Sequence, residues 1–170
     1  MLADLLDLVL PRPCAGCGRP GSVLCPGCRL LLRAAPVGRV RPDPCPPGLP
    51  PVHALAPYDG ELRQLLLAHK ERGLLGLSGP LGTALAAVVA GLVAGPVLLC
   101  PVPSARSAVR QRGYDHAHRL AVSAARELRR QGRQAGVARL LRPDRVVADQ
   151  SGLSSTERAA NMAGGMRAVP

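Results

Sequence analysis

Aromatic side chains are almost absent from this 170-residue sequence, which has no Phe, no Trp and only two Tyr, Tyr58 and Tyr114. The core must therefore be built from Leu, Val and Ala, which pack through small side chains. The same scarcity removes the stacking platforms on which single-stranded bases are usually held.

Lysine is nearly absent as well. The 22 basic residues include a single lysine, Lys70, and they face only 11 acidic residues, which gives a net charge of +11. An arginine bias of this kind, in a chain rich in Ala, Gly and Pro, is what codon usage in a GC-rich genome produces. The basic charge therefore supports a polyanionic partner less than its size suggests. It is compatible with phosphate and does not by itself indicate nucleic acid.

Charged residues are missing altogether from residues 73–105, which raises the question of a membrane span. Pro80, Gly95 and Pro96 interrupt this run and leave residues 81–94 as the longest continuous helix. That length falls short of the roughly 20 residues that cross a bilayer. We therefore predict a buried core helix and no membrane span.

The first 13 residues do not resemble a signal peptide, because they contain two Asp and no basic region at the start. Their apolar residues recur at i, i+3, i+4 and i+7, which predicts a short amphipathic helix over residues 2–9. With no export signal, the protein is expected in the cytoplasm.

Four cysteines form two Cys-x-x-Cys pairs, Cys14 with Cys17 and Cys25 with Cys28, with seven residues between the pairs. Two such turns can place four thiolates around one ion at about 2.3 Å. The alternatives are a disulfide framework or a thioredoxin-like redox pair. Disulfides do not persist without export, and two pairs in so short a segment argue against a lone redox motif. The spacing favours a compact zinc knuckle, structural because four cysteines leave no open position.

The remaining cysteines lie outside this pattern: Cys45 has no neighbouring cysteine, and Cys100 ends an apolar run, as a small buried hydrophobe would. The dense prolines of residues 36–51 predict an extended, semi-rigid linker. The expected organisation is thus an N-terminal helix and knuckle over 1–35, the linker, and a main domain over 52–170.

Strand and helix signals alternate along that main domain. In chain order they predict a strand over 52–57, a helix with Asp59 as N-cap that ends near Gly73, the apolar helix over 81–94, a strand over 97–100, a helix from Tyr114, a strand over 138–141, and a helix that begins at a capping box formed by Ser154 and Glu157. Such alternation is typical of an α/β domain with a largely parallel sheet.

The stretch from Val97 to Tyr114 is the strongest candidate for a binding site. An apolar strand ends abruptly at two prolines, and a basic loop follows before a helix opens. Backbone N–H groups, a helix N-terminus and guanidinium forks in this arrangement suit an anion. The candidate residues are Pro103, Arg106, Arg110, Arg112 and Gly113. A solvated basic loop is the alternative, and composition does not decide between the two.

Other polar residues have simpler explanations. His69 and Lys70 close a helix, where the dipole favours cations. His116 and His118 are two residues apart, so they point to different sides of a helix and do not chelate one metal well. We predict that they are polar residues at the surface or near the loop. Arg158, by itself, has the pattern of a surface arginine.

Several motifs in order resemble the ComF family of phosphoribosyltransferase-like proteins, which are linked to DNA uptake. They are the four-cysteine knuckle, the segment Ala56-Pro-Tyr-Asp-Gly, Lys70-x-x-Gly73, the sequence PVP followed by R-x-R-G-Y-D-x-A-x-x-L-A, and a tail Gln150-x-x-Leu153-x-x-x-Glu157-Arg158-x-x-Asn161. The resemblance covers most of the chain.

The resemblance implies a type I phosphoribosyltransferase-like sheet, largely parallel and flanked by helices. It also implies a site for phosphoribosyl pyrophosphate (PRPP), with residues 101–113 receiving its pyrophosphate. Lys70 and Arg158 become further candidates to face the ligand. In that superfamily, pyrophosphate leaves through an oxocarbenium-like ribose, assisted by Mg²⁺ and by cations that neutralise the leaving group. Mg²⁺ is therefore expected in addition to structural zinc.

Two departures from the family pattern shape the expectations. Asp115 stands where the family usually has Asn, and the chain stops at Pro170, just before the position of the family's acidic, Thr/Gly-rich phosphate loop. We therefore expect this chain not to be a competent transferase. The alternatives are a non-enzymatic adaptor that contacts single-stranded DNA or a competence helicase, and an incomplete gene product that has lost both activities.

Overall fold

The computed structural model describes residues 12–43, 45–145, 147, 150 and 152–169, and the helix predicted over 2–9 lies outside them. The described helices are α1 (Pro26–Ala34), α2 (Gly60–Lys70), α3 (Ser78–Leu92), α4 (Arg106–Arg112), α5 (His116–Arg130) and α6 (Ser155–Met162), with a 3₁₀ turn at Leu75–Leu77. The described strands are β1 (Gly38–Val40), β2 (Val52–Ala54), β3 (Val97–Leu99), β4 (Ala135–Val137), β5 (Leu141–Pro143) and β6 (Met166–Ala168). The chain is therefore mixed α/β, as predicted.

The strands form three separate two-stranded sheets. β1 pairs with β2 and β5 with β6 in antiparallel fashion, whereas β3 and β4 are parallel. The strand predicted over 52–57 thus forms in part, as β2, but its partner is β1 from the proline-rich segment. A single, largely parallel sheet is not seen in the described residues.

Among the described residues, the parallel pair is the one place where a strand, a helical connection and a second strand follow each other as predicted. Val97 is in register with Ala135 and Leu99 with Val137, and α4 and α5 connect the strands. The strand predicted over 138–141 is wrong for residues 138–140, which lie between β4 and β5, whereas Leu141 is the first residue of β5. Gly132, with φ of 80°, turns the chain directly after α5. Pairing with β3 therefore begins at Ala135, earlier than the predicted strand over 138–141.

Helix α3 and helix α5 are the central pair of the fold, and their contact is built from small residues. On α5 the buried residues include Ala121, Ala124 and Leu128, from the apolar face that the sequence predicted. On α3 a Cβ at Gly82 would collide with the Cβ of Ser123 and come within 3.0 Å of the Ala124 backbone nitrogen. The two backbones therefore approach too closely for any side chain at position 82.

The N-terminal boundary of α3 differs from the prediction. Pro80 lies in the first turn of the helix, where its missing N–H leaves no intrahelical bond unmade, so the helix begins at Ser78.

With the preceding 3₁₀ turn, the helical stretch Leu75–Leu92 has 18 residues and a mean hydropathy of 1.7. By length and composition it suffices to cross a membrane, so the predicted 14-residue limit is wrong. About 39% of the stretch is buried, and α3 packs along α5. Core helices meet the same length criterion, so the absence of a span stays a prediction.

The cysteine knuckle is packed into the main core. One buried cluster joins Cys14, Cys25 and Cys28 to Leu65 of α2 and Leu81 of α3. A second cluster groups Ala86, Ala124 and Leu128, and the inner sides of β3 and β4 lie against it. The knuckle and the helices that follow the linker therefore share one apolar interior.

His69 is a buried hydrogen-bonding residue, which corrects its expected role as a cation at a helix end. It is 1% exposed, and its Nε2 lies 2.9 Å from Oγ of Ser78. Because that hydroxyl donates to the carbonyl of Leu75 at 2.7 Å, it accepts from Nε2–H of His69. Burial, followed by the nearby charges of His116 and Arg119, lowers the pKa of His69. The residue thus ties the end of α2 to the start of α3 in its neutral form.

The close helix crossing predicts that Gly82→Ala lowers the free energy of unfolding by about 1–3 kcal/mol, since the new methyl group overpacks the contact with α5. Gly91→Ala is the matched control on the same helix, because a Cβ at Gly91 meets no heavy atom. The control should raise the stability by up to about 1 kcal/mol through helix propensity. Urea unfolding of both variants measures the difference. Equal behaviour of the two would contradict the crossing.

The lowered pKa of His69 predicts a loss of stability in acid. The unfolded state, with an ordinary histidine pKa of 6.5, binds the proton before the folded state does. Stability is therefore present above that pH and is lost as the pH falls toward the lower folded pKa. His69→Gln removes this proton uptake, so the stability lost between about pH 7.5 and about pH 5 should be smaller than in the wild type. His53→Gln, on β2, is the control, and equal losses in all three proteins would contradict the assignment.

Candidate metal centre and basic site

The four knuckle cysteines lie within bonding distance of one ion. Their Sγ atoms are all within 4.8 Å of one another, and those of Cys17 and Cys25 are 3.6 Å apart. A tetrahedron of sulfurs around zinc has edges of about 3.8 Å. Gly18, with φ of 76°, closes the first turn by donating its N–H to the carbonyl of Cys14 at 2.9 Å. The arrangement is one that can hold a metal such as zinc, as the spacing predicted.

Backbone donors are directed at the sulfurs. The N–H of Cys25 lies 3.4 Å from Sγ of Cys14, and the N–H of Cys28 lies 3.4 Å from Sγ of Cys25. The second bond also caps α1, whose first turn contains Pro26, so a candidate ligand is at the same time the N-cap of a helix. Donors of this kind favour the thiolate form that a metal requires.

The thiols differ in how readily they ionise. Burial opposes ionisation of Cys14, but backbone N–H groups led by that of Cys25 outweigh it and lower its pKa to about 6. At Cys28, burial and then the neighbouring cysteines raise the pKa. Four thiolates in this volume repel one another, so all four ionise together only around a cation. The donor set therefore fits a divalent, sulfur-preferring ion.

Two residues that the sequence gave no reason to select hold the knuckle against α2. A Cβ at Gly16 would lie 2.9 Å from Sγ of Cys28 and 3.3 Å from Leu65, so only glycine fits between the cluster and the helix. Arg72 donates from Nη2 to the carbonyl of Ala15 at 3.2 Å and to that of Gln64 at 3.1 Å. The knuckle is thus fixed both sterically and by hydrogen bonds.

Cys45 and Cys100 take no part in this cluster. Cys45 is exposed in the proline-rich segment, and Cys100 is half-buried directly after β3. Among the described residues, the four knuckle cysteines form the only group of metal-ligating side chains of this kind.

The predicted basic loop is partly a helix. Residues 106–112 form α4, and Gly113, with φ of 79°, ends it in the left-handed conformation. Arg106 and Arg110 are four residues apart on one exposed face, whereas Arg112 points to another side of the helix. The three guanidinium groups do not converge on one point. Alanine and arginine have high helix propensity, and they are frequent between the prolines and Gly113. The prediction of a basic loop over this segment did not take that propensity into account.

Arg112 instead contacts Glu71, which lies 41 positions earlier in the chain, and through this carboxylate it is brought close to Lys70. Nη1 of Arg112 lies 3.0 Å from Oε2 of Glu71, and Nζ of Lys70 lies 3.1 Å from Oε1 of the same carboxylate. Burial opposes ionisation of Glu71, but hydrogen bonds from Lys70 and Arg112 outweigh it and lower its pKa. Two of the predicted anion-binding residues are thereby brought together by a residue that the sequence did not single out.

Tyr114 fixes the geometry of this pair. Its hydroxyl lies 2.9 Å from the carbonyl oxygen of His69 and 3.1 Å from that of Lys70, at the C-terminal end of α2. Its ring meets the imidazole of His69 edge-on, with 6.5 Å between centroids. The single hydroxyl hydrogen is shared between these two helix-end carbonyls, which would otherwise repel an anion.

The N-terminus of α5 is occupied by its own capping residue, which differs from the expected open anion site. Oδ1 of Asp115 accepts from the N–H of His118 at 3.2 Å and from Oγ of Ser104 at 3.1 Å. Nδ1 of His116 lies 3.3 Å from the same hydroxyl. His116 is half-buried, and burial, followed by the charges of Arg112 and Lys70, lowers its pKa.

Within the described part of the chain, the remaining candidate residues share no side-chain hydrogen bond or ion pair with Lys70 or Arg112. Arg158 is exposed on α6, with no side-chain hydrogen bond or ion pair to another described residue, while Pro103 is half-buried and Gly113 exposed. The two described cavities, of about 300 and 260 Å³, flank α1. Neither is lined by Lys70, Arg112 or any residue of 101–114.

The thiol geometry predicts that purified protein holds about one equivalent of zinc. Cys17→Ser removes one ligand and should lower the metal content well below that value, whereas Cys45→Ser, outside the cluster, should leave it unchanged. Because the cysteines belong to the shared core, removal of the metal by a chelator should also lower the melting temperature. Elemental analysis and thermal unfolding measure both effects. A metal-free protein that melts at the same temperature would contradict the assignment.

Comparison of the chain with protein-family models, with curated proteins and with solved structures gave no match. The resemblance to the ComF family therefore rests on the residue motifs alone. The geometry by itself supports a narrower statement: four cysteines can hold a metal such as zinc, and two cations, Lys70 and Arg112, converge on one carboxylate.

Proposed function

We propose that this chain is a ComF-like, phosphoribosyltransferase-family protein that binds the pyrophosphate end of PRPP between Lys70 and Arg112. The knuckle carries structural zinc in this proposal. The observation that carries it is the convergence of these two cations on Glu71, because both belong to motifs that resemble the family. Neither motif alone would be specific, since isolated basic residues are common on surfaces.

The contacts of Arg112 support an anion-binding role. Its side chain is only 14% exposed, so its charge is less screened by water than that of an ordinary surface arginine. Its Nε is buried and has no hydrogen-bond partner among the described residues. A guanidinium group with donor capacity left over suits a phosphate, which presents several acceptor oxygens.

The neighbouring polar groups fit a ligand that brings negative charge. Ser104 and His116 lie beside Asp115 at the start of α5, and the charges of Lys70 and Arg112 reach His116. An arriving phosphate would offset this positive charge and make protonation of His116 easier. The electrostatic repulsion within the basic cluster is therefore smaller with a polyanion bound than without one.

The position of the pair in the fold agrees with the proposal. β3 ends at Leu99, and the chain then leads through Pro101 and Pro103 to α4 and Arg112. In α/β proteins, ligands bind beyond the carboxyl ends of parallel strands. The parallel pair β3–β4, with α3 and α5 packed on one side, is compatible with the larger parallel sheet that the proposal requires.

The chemistry that such a site supports is neutralisation of a leaving pyrophosphate. In a competent transferase, Lys70 and Arg112 would offset the charge that develops as the bond to the ribose carbon breaks; for this chain the proposal is limited to binding of the pyrophosphate group. The Mg²⁺ implied by the family resemblance would arrive with the pyrophosphate and supply further charge neutralisation. The acceptor of the ribosyl group is not part of the proposal.

The proposal predicts that pyrophosphate and PRPP bind this chain and that Arg112→Ala weakens both together by about tenfold or more, since a charge-assisted bidentate contact is lost. Arg126→Ala is the control, because Arg126 is exposed on α5, away from the contacts described above. Titration calorimetry at low salt measures the affinities. Equal effects of the two substitutions would place the site elsewhere. If neither ligand binds but DNA does, regardless of Arg112, the adaptor alternative would replace the proposal.

A further inference from the structure

Glu71 occupies the position where an anion bound by Lys70 and Arg112 would lie. Each of its two oxygens serves one cation: Oε1 is 3.1 Å from Nζ of Lys70, and Oε2 is 3.0 Å from Nη1 of Arg112. Two oxygens of a phosphate group would make the same pair of contacts. A ligand and the Glu71 carboxylate therefore compete for the same donors.

The local backbone allows Glu71 to leave without unfolding its helix. Glu71 follows the last residue of α2 and is its C-cap, and its N–H donates to the carbonyl of Leu67 at 2.7 Å. Its side chain is 46% exposed. A change of side-chain rotamer is therefore enough to move the carboxylate from the cations into water, while the backbone bond stays in place.

The ion pairs are not the sole link between α2 and the segment around Arg112. The Tyr114 hydroxyl lies within hydrogen-bond distance of the carbonyls of His69 and Lys70, so the two segments remain joined when Glu71 moves. Ion pairs that are partly exposed contribute little to folding. A role of Glu71 in occupying the site is thus compatible with a stable fold in both positions of its side chain.

We propose that Glu71 is an internal counter-anion that blocks the Lys70–Arg112 site until a phosphate-bearing polyanion displaces it. This inference rests on the proposed function, because it concerns the same pair of cations. The device favours ligands with more negative charge than one carboxylate, such as a diphosphate, and disfavours weak monoanions. It keeps Arg112, with its largely buried side chain, from being left without a counter-charge when no ligand is bound.

The test compares Glu71→Gln with Glu127→Gln by titration calorimetry with pyrophosphate at low salt. Glu127 is a matched control because its carboxylate also accepts from two side chains, those of Arg130 and Gln131, on α5. Without the competing charge at position 71, pyrophosphate should bind about threefold tighter or more. Glu127→Gln should leave the affinity unchanged. Unchanged or weaker binding by Glu71→Gln, together with loss of binding in Arg112→Ala, would overturn the inference and leave the proposed function in place.

A second measurement needs no substitution. The carboxyl carbon of Glu71 is titrated by NMR in the wild-type protein, with and without saturating pyrophosphate. Displacement removes both cations from the carboxylate, so its pKa should rise toward the ordinary value when ligand is bound. A pKa that stays low in the saturated protein would show that Glu71 keeps its partners, and would overturn the inference. Absence of pyrophosphate binding in the wild type and both variants would refute the proposed function and this inference together.

Discussion

The contact between α3 and α5 at Gly82 is the constraint on which the other elements depend. Because glycine at position 82 has no side chain, the two helices can lie close together, and Ala86, Ala124 and Leu128 pack in one cluster. β3 and β4 pack against this pair through Val97, Leu99 and Ala135. A chain without Phe or Trp can reach a dense interior only by such close approach, since small side chains leave voids between helices that are further apart.

The knuckle and the basic pair are connected through α2. The knuckle packs on Leu65 in the middle of this helix, with Gly16 as the point of closest approach. The end of the same helix carries Lys70, and the adjoining Glu71 reaches Arg112. His69, in the last turn, fixes the helix to Ser78 at the start of α3. A disturbance of the cysteine cluster can therefore reach the basic pair through one rigid element.

Several of the described arginines bind backbone carbonyls. Arg133 donates to the carbonyls of Ala90 and Gly95, and also to that of Val93, and so closes the end of α3. Arg129 donates to the carbonyl of Ala135 at 2.7 Å, and Arg72 binds the knuckle in the same way. Guanidinium groups reach several acceptors at once, which suits this task. The net positive charge is therefore partly a structural feature, which weakens it further as an indication of a nucleic-acid partner.

Local signals in the sequence determined several features correctly. Paired cysteines at short spacing predicted a cluster that can hold a metal, Ser154 and Glu157 form the capping box, and the periodic alanines of α5 face the core. These features depend on residues within a few positions of one another, whose geometry the backbone imposes.

Only the tertiary structure decided which residues meet across the chain. It buried His69, assigned β1 to β2, turned Arg106 away from Arg112 and placed Glu71 between Lys70 and Arg112. The sequence could not specify these contacts, because periodicity describes one element at a time. Which faces of two distant elements come together depends on how the whole set of apolar surfaces is buried.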